Sequence, residues 1–210
     1  MKLNYTVKGQ GNKNIILLHG WGGSLESLTP LQNELGNSDG FRVYNIEWPG
    51  FGNSRLPVGA KFMSFGGKVA IATVLEKQDI ADKLVLINSS GIKPKNTLKK
   101  AVLYIPTKAM GAIFTLPGLR KVRPFTRKLY YKLIVREGDY LLSSDLKETL
   151  QSVLQINFDT ELSKLTANTL LIWGENDSYT PLWMGRKFAS ELPNAKIEIV
   201  KDAKHNLPLV

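Results

Sequence analysis

Five short β-rich apolar runs, at residues 14–18, 41–48, 83–88, 169–173 and 196–200, alternate with stretches of helical spacing, and most of them end in Gly, Asn or Ser. Apolar runs of this length, bounded by turn residues, suit strands buried on both faces rather than half-exposed hairpins. Helical spacing at residues 27–35, 67–76 and 182–192 falls between the runs, and Pro181 fits a first helical turn. This alternation restricts the chain to an α/β class in which helices cover both faces of a mostly parallel sheet.

Residues 93–161 interrupt the alternation with helix-like patterning and no buried strand, and Asp145 followed by Glu148 fits a capping box for a helix running to about Asn157. A helical insertion between two sheet strands is most simply a lid over the strand ends where ligands bind in such folds. The expected organisation is therefore a core at residues 1–91 and 162–210, with a helical lid at 92–161. Charge marks the same division: residues 92–136 hold twelve Lys and Arg and no Asp or Glu, whereas 1–91 hold nine against seven and 137–210 hold seven against eleven. The net charge of +10 thus comes from one segment. A solvated helical face is the plainest account of it; weak contact with an anionic membrane surface is the sharper one. Nucleic acid is not expected as a partner, because no recognised module accompanies the charge.

With 210 residues the chain suits one domain carrying an insertion. It has no cysteine and only two histidines, which excludes disulfides and cysteine catalysis and leaves little for a metal site, so no metal and no cofactor are expected. The amino terminus reads as an alternating strand without the apolar run of a secretory signal, and a cytoplasmic location is expected. The most apolar stretch, 101–119, contains Lys108, Pro106 and Pro117 and makes a poor bilayer span.

Two glycine-rich turns follow consecutive strands. Leu17-Leu18-His19-Gly20-Trp21-Gly22-Gly23 could aim backbone N–H groups at a developing oxyanion, and Trp48-Pro49-Gly50-Phe51-Gly52-Asn53-Ser54 closes the next strand. Further on, Ser64 stands in Phe62-Met63-Ser64-Phe65-Gly66-Gly67, Asp177 in Trp173-Gly174-Glu175-Asn176-Asp177, and His205 follows the last strand. The order of nucleophile, acid and histidine, together with the two turns, resembles the α/β-hydrolase family across nearly the whole chain. Leu-Tyr-Tyr and Gly-Asp-Tyr in the insertion are similar to bacterial esterases and C–C hydrolases. The resemblance implies a serine hydrolase acting on a carboxylic ester, amide or related acyl or C–C bond of a small molecule. It implies Ser64 as nucleophile, His205 as base, Asp177 as its partner, and the amides of Trp21 and Phe65 as the oxyanion hole.

Two features depart from the family pattern. Phe62 stands where the nucleophile turn wants a small residue, because bulk there meets the adjoining backbone. Only nine residues, 49–57, connect the strand ending at Trp48 to an expected strand at 58–63, and a parallel crossover with its helix needs at least about 10 to 12. Nine extended residues reach about 30 Å, enough to close the connection without a helix. One sheet face is then expected to lack cover, leaving an apolar patch. A final helix beyond His205, which relatives have, is also expected to be missing. An impaired hydrolase remnant acting as a binding protein, and a peripheral membrane protein working through the basic lid, remain the alternative readings.

Overall fold

The computed structural model describes residues 3–20, 22–54, 66–93 and 155–207. The chain divides into two compact units, one of Met1–Ile92 with Glu148–Val210 and one of Lys93–Lys147. Almost all described residues belong to the first. The expected strand at 58–63, Ser64 and most of the expected lid lie outside the described residues.

Within the first unit the strands are β1 (Asn4–Lys8), β2 (Lys13–Leu18), β3 (Phe41–Glu47), β4 (Lys83–Ile87), β5 (Asn168–Gly174) and β6 (Ala195–Val200). The helices are α1 (Leu25–Asn37), α2 (Gly66–Glu76) and α3 (Leu182–Glu191). The described strands form two three-stranded sheets, ordered β1-β3-β2 and β4-β5-β6, rather than one continuous sheet. Only the β1–β3 pair is antiparallel; β2–β3, β4–β5 and β5–β6 are parallel. Every expected strand and helix among the described residues is present, with its ends within about two residues, the ordinary uncertainty of element boundaries.

The β4-β5-β6 sheet carries the core. Leu84, Leu86, Leu171 and Trp173 on the strands meet Ile71 and Val74 of α2 and Met184 and Phe188 of α3. Each fully buried side chain of this kind contributes about 1.5–3 kcal/mol through removal of apolar surface from water. Gly185 sets how closely α3 approaches, since a Cβ there would lie 2.6 Å from the Trp173 ring. Ile92 and Phe158, flanking the second unit in sequence, join this core, and Phe158 N–H donates to Gly91 O at 2.9 Å. Lys68 of α2 is buried beside them and donates to Ile156 O at 3.2 Å.

On the first sheet α1 covers the face carrying Val43, Asn45 and Glu47. Gln32 Nε2 donates to Thr6 O and Val43 O at 3.1 Å each, and Asn45 Nδ2 donates to Leu25 O at 2.9 Å. The opposite face carries exposed apolar side chains. The register aligns Val7, Tyr44 and Ile16 in one row across the three strands, with Tyr5, Ile46 and Leu18 in the next. Ile16 is 61% exposed, Tyr5 54% and Val7 47%. Apolar patches of this kind promote association. Replacing Val7 and Ile16 together by threonine, which keeps β propensity, is expected to reduce self-association in sedimentation velocity while altering stability by about 1 kcal/mol or less. An unchanged sedimentation profile from a self-associating parent would place the contact elsewhere.

The start of α2 lies at the ends of both sheets. Gly66 N–H donates to His19 O, just beyond β2, at 3.1 Å, and Gly67 abuts Ser89 just beyond β4. This seating brings the residues after the expected nucleophile against the strand ends.

Candidate active site

β5 ends at Gly174, and the turn that follows is built around Asp177. Its Oδ1 accepts the amides of Tyr179 at 2.8 Å and Thr180 at 2.9 Å, the local arrangement that favours Asp in turns. Oδ2 faces the Thr180 hydroxyl at 2.7 Å and His205 Nδ1 at 2.8 Å. Trp173 Nε1 donates to Thr180 O at 2.7 Å and fastens this turn to the core.

Asp177 is buried, while the His205 side chain keeps 36% of its surface exposed. A carboxylate held inside with an imidazole at the surface leaves the ring's far nitrogen available to a reacting group. Burial by itself pushes the Asp177 carboxyl up, but hydrogen bonds from His205 and from the Thr180 hydroxyl and amide, with the His205 charge, outweigh it and hold the carboxyl below its ordinary value. Asp177 therefore stays ionised where an imidazole works as a base.

His205 comes from the loop after β6. That loop turns at Asp202, whose φ is 57°, and is tied to the Asp177 turn by Asn176 N–H donating to Ala203 O at 2.9 Å. Gly174 permits the two segments to meet, because a Cβ there would lie 2.6 Å from both Ala203 O and Lys204 O. The Tyr179 ring lies 5.1 Å from the His205 ring, tilted by 42°.

The glycine-rich turn after β2 is anchored by its own histidine. His19 is buried; its Nε2 accepts Trp48 N–H at 3.2 Å and its Nδ1 lies 2.8 Å from Gly20 O. An accepting Nε2 places the proton on Nδ1, which then donates to Gly20 O. Burial lowers the pKa of this ring, against the opposing pulls of the Gly20 hydrogen bond and the Glu47 charge, so the ring is held neutral. Trp48 Nε1 donates to His19 O at 3.1 Å, the same oxygen that accepts Gly66 N–H. Buried Glu47 gathers the rest of this region: Asn4 Nδ2 donates to it at 2.8 Å, Asn53 N–H at 2.9 Å and Leu25 N–H at 3.2 Å.

Of the residues expected from sequence, Asp177 and His205 come together. Ser64, Trp21 and Phe65 lie outside the described residues. Thr180, Asn88, Glu47 and Lys68 were not singled out by sequence; the signal available for the first two was a polar residue closing an apolar strand or opening a helix next to the expected acid. Among the described residues no group of three or more His, Asp or Glu could hold a metal ion, and no helix is long and apolar enough to cross a membrane.

No protein-family model matches the chain. A 2-hydroxy-6-oxononadienedioate/2-hydroxy-6-oxononatrienedioate hydrolase of Escherichia coli K12 is 24% identical, with 98% of this chain and 85% of the relative covered. That alignment spans 249 positions against 210 residues here, so the relative carries segments that this chain lacks. Among solved structures, a thermophilic esterase from Thermogutta terrifontis matches with TM-score 0.67 at 18% identity, covering 99% of this chain and 87% of the esterase. The meta-cleavage product hydrolase CumD from Pseudomonas fluorescens IP01 matches with TM-score 0.65 at 19% identity, covering 97% and 87%. The chain has the α/β-hydrolase fold. In this fold the Asp177 turn and the His205 loop follow β5 and β6, and the start of α2 meets the residues that follow β2 and β4.

Proposed function

We propose that this chain is a serine hydrolase of the α/β-hydrolase family that cleaves a carboxylic ester, amide or related acyl or C–C bond of a small molecule, with Ser64 as nucleophile, His205 as general base and Asp177 as its partner. The observation that carries the reading is the 2.8 Å contact between His205 Nδ1 and a buried Asp177 carboxylate below its ordinary pKa. Two arrangements support it. Gly66 is hydrogen-bonded to the turn after β2, and Ser64 is only two residues earlier, a tether of about 7.6 Å between Cα atoms. Trp21 and Phe65, the proposed oxyanion donors, are each within two residues of the partners in that same Gly66–His19 hydrogen bond.

In this mechanism His205 Nδ1–H donates to Asp177, which leaves Nε2 to take the proton from the Ser64 hydroxyl as its oxygen attacks the acyl carbon. The carbonyl electron pair moves to oxygen, where the two backbone amides stabilise it. Collapse expels the leaving group, which takes the proton from Nε2; water, deprotonated by the same nitrogen, then releases the acid and frees Ser64. For a C–C substrate the leaving group is a carbanion equivalent, and the proton goes to carbon. Every group required is supplied by the chain and water.

The binding-protein reading keeps one specific support, Phe62 at the position that wants a small side chain. A fluorophosphonate separates the two. Covalent labelling of Ser64, mapped by peptide mass and absent in Ser64→Ala, is the result expected of the hydrolase. A folded protein that leaves Ser64 unmodified, under conditions that label a control serine hydrolase, would sink the catalytic reading.

A further inference from the structure

Asn88, the first residue beyond β4, is buried and sits at φ 44°, a left-handed conformation that Asn tolerates better than most side chains. Its backbone N–H donates to Ile172 O at 3.0 Å and so continues the β4–β5 ladder by one bond. Its side chain then leaves the ladder in two directions. Oδ1 accepts Gly174 N–H at 2.8 Å, standing in for the main-chain carbonyl that the turning strand withdraws. Nδ2 donates to His205 O at 2.6 Å and to Lys204 O at 3.1 Å. The Asn88 carbonyl oxygen lies 3.0 Å from the Thr180 hydroxyl, which also faces Asp177.

We propose that Asn88 is a positioning residue that fixes the distance between the acid turn and the histidine loop, an inference that rests on reading Asp177 and His205 as the acid and base of the proposed reaction. One planar amide ties the base of the acid turn, at Gly174, to the main chain of His205 itself, from a third strand that belongs to neither loop. Among the described residues the other ties to the main chain of the histidine loop act earlier along it: Asn176 N–H reaches Ala203 O at 2.9 Å and Glu175 Oε2 accepts Asp202 N–H at 3.2 Å. They leave the His205 backbone to be set by Asn88 and by the turn bond from Leu207 N–H at 3.1 Å. Misplacing a catalytic group by about 1 Å costs about 10²-fold in rate, so a bond at this point acts on turnover more than on substrate affinity.

Asn88→Asp preserves size and the acceptor facing Gly174, but points a second oxygen at the carbonyls of residues 204 and 205 where a donor stood. Asn88→Gly accepts the positive φ and removes all three side-chain bonds. In both variants kcat for a p-nitrophenyl ester is expected to fall about 10²-fold with KM within about twofold. The independent readout is the low-field Nδ1 proton of His205 in histidine-labelled protein, tractable with only two histidines, which is expected to weaken or disappear. Folded variants that keep both that resonance and kcat overturn the proposal. Should neither variant fold, the wild-type Asn88 side-chain amide decides: strongly slowed solvent exchange supports the clamp, and exchange at the rate of a free amide overturns it. A protein that shows the resonance and loses it in Asn88→Asp, yet lacks any Ser64-dependent turnover, would confirm the clamp while refuting the serine-hydrolase reading.

Discussion

Asp177→Asn is expected to lower kcat by about four orders of magnitude while leaving the fold intact. The amide's orientation is dictated by its neighbours. Two backbone N–H groups, of Tyr179 and Thr180, converge on the Oδ1 position, so the asparagine oxygen must occupy it. Its NH2 group then falls at the Oδ2 position and points donors at the Thr180 hydroxyl and His205 Nδ1. Nδ1 can meet a donor only by giving up its proton, which moves to Nε2, the nitrogen that in the proposed mechanism accepts from Ser64. The base is thereby lost through a tautomer change rather than a displacement. Loss of the low-field His205 resonance together with kcat, with little change in melting temperature, is the pattern to look for; retention of kcat would remove Asp177 from the mechanism.

The same substitution carries a pH signature. The folded-state pKa of Asp177 lies below its ordinary value, so its ionisation contributes stability that is fully present above the unfolded carboxylate's pKa of about 3.9 and is lost as pH falls through the lower folded value. Wild-type protein should therefore lose stability more steeply than Asp177→Asn over that acid range. Parallel acid limbs in the two proteins would show that the hydrogen bonds to Asp177 are not stabilising the charge.

Most of the described fold could be read from the chain because its signals are local. The apolar runs at β2 to β6 are bounded by turn residues, and Asp177 and His205 follow strands within a few residues, in an order that few arrangements produce. What the sequence concealed lies in long-range pairing. Asn88 reads as a residue that ends a strand; that its side chain meets His205, 117 residues away, depends on the β4-β5-β6 order and on the bareness of Gly174. Glu47 and Lys68 reverse the usual expectation that charges face solvent. Both are buried because backbone groups from other segments surround them, amides of Leu25 and Asn53 for one and the carbonyl of Ile156 for the other. Ile16 errs in the opposite direction: a residue in a run that suggests a doubly buried strand is exposed, and the run itself carries no record of which helix would have covered it.

Gly66→Ala is expected to be the most damaging single methyl addition to the site, and its neighbour Gly67→Ala supplies the contrast that explains why. A Cβ on Gly66 would lie 2.2 Å from Leu18 O, 2.7 Å from Leu18 C and 2.8 Å from His19 O. All three are main-chain atoms at the end of β2, and His19 is pinned further by its bonds to Trp48, so nothing nearby can rotate aside. The helix start must retreat, breaking the Gly66–His19 hydrogen bond and moving the residues just before it. Overpacking of this kind costs about 1–3 kcal/mol and the lost bond adds about 1, which exceeds the gain of about 1 kcal/mol that alanine brings to a helix. Melting temperature should fall by several degrees, at about 2–4 °C per kcal/mol. Turnover should fall further than this instability explains. A Cβ on Gly67 instead meets the Ser89 Oγ at 1.9 Å and its Cβ at 2.9 Å, with no other atom closer than 3.7 Å. Because the whole conflict lies in one side chain, Ser89→Gly should recover most of the stability lost in Gly67→Ala and none of that lost in Gly66→Ala. A double-mutant cycle on melting free energies tests this directly, with coupling of about 1–3 kcal/mol expected for the Gly67–Ser89 pair and about zero for Gly66–Ser89. Equal coupling in both cycles would mean that α2 is free to shift as a body, and that its start is not fixed between the ends of β2 and β4.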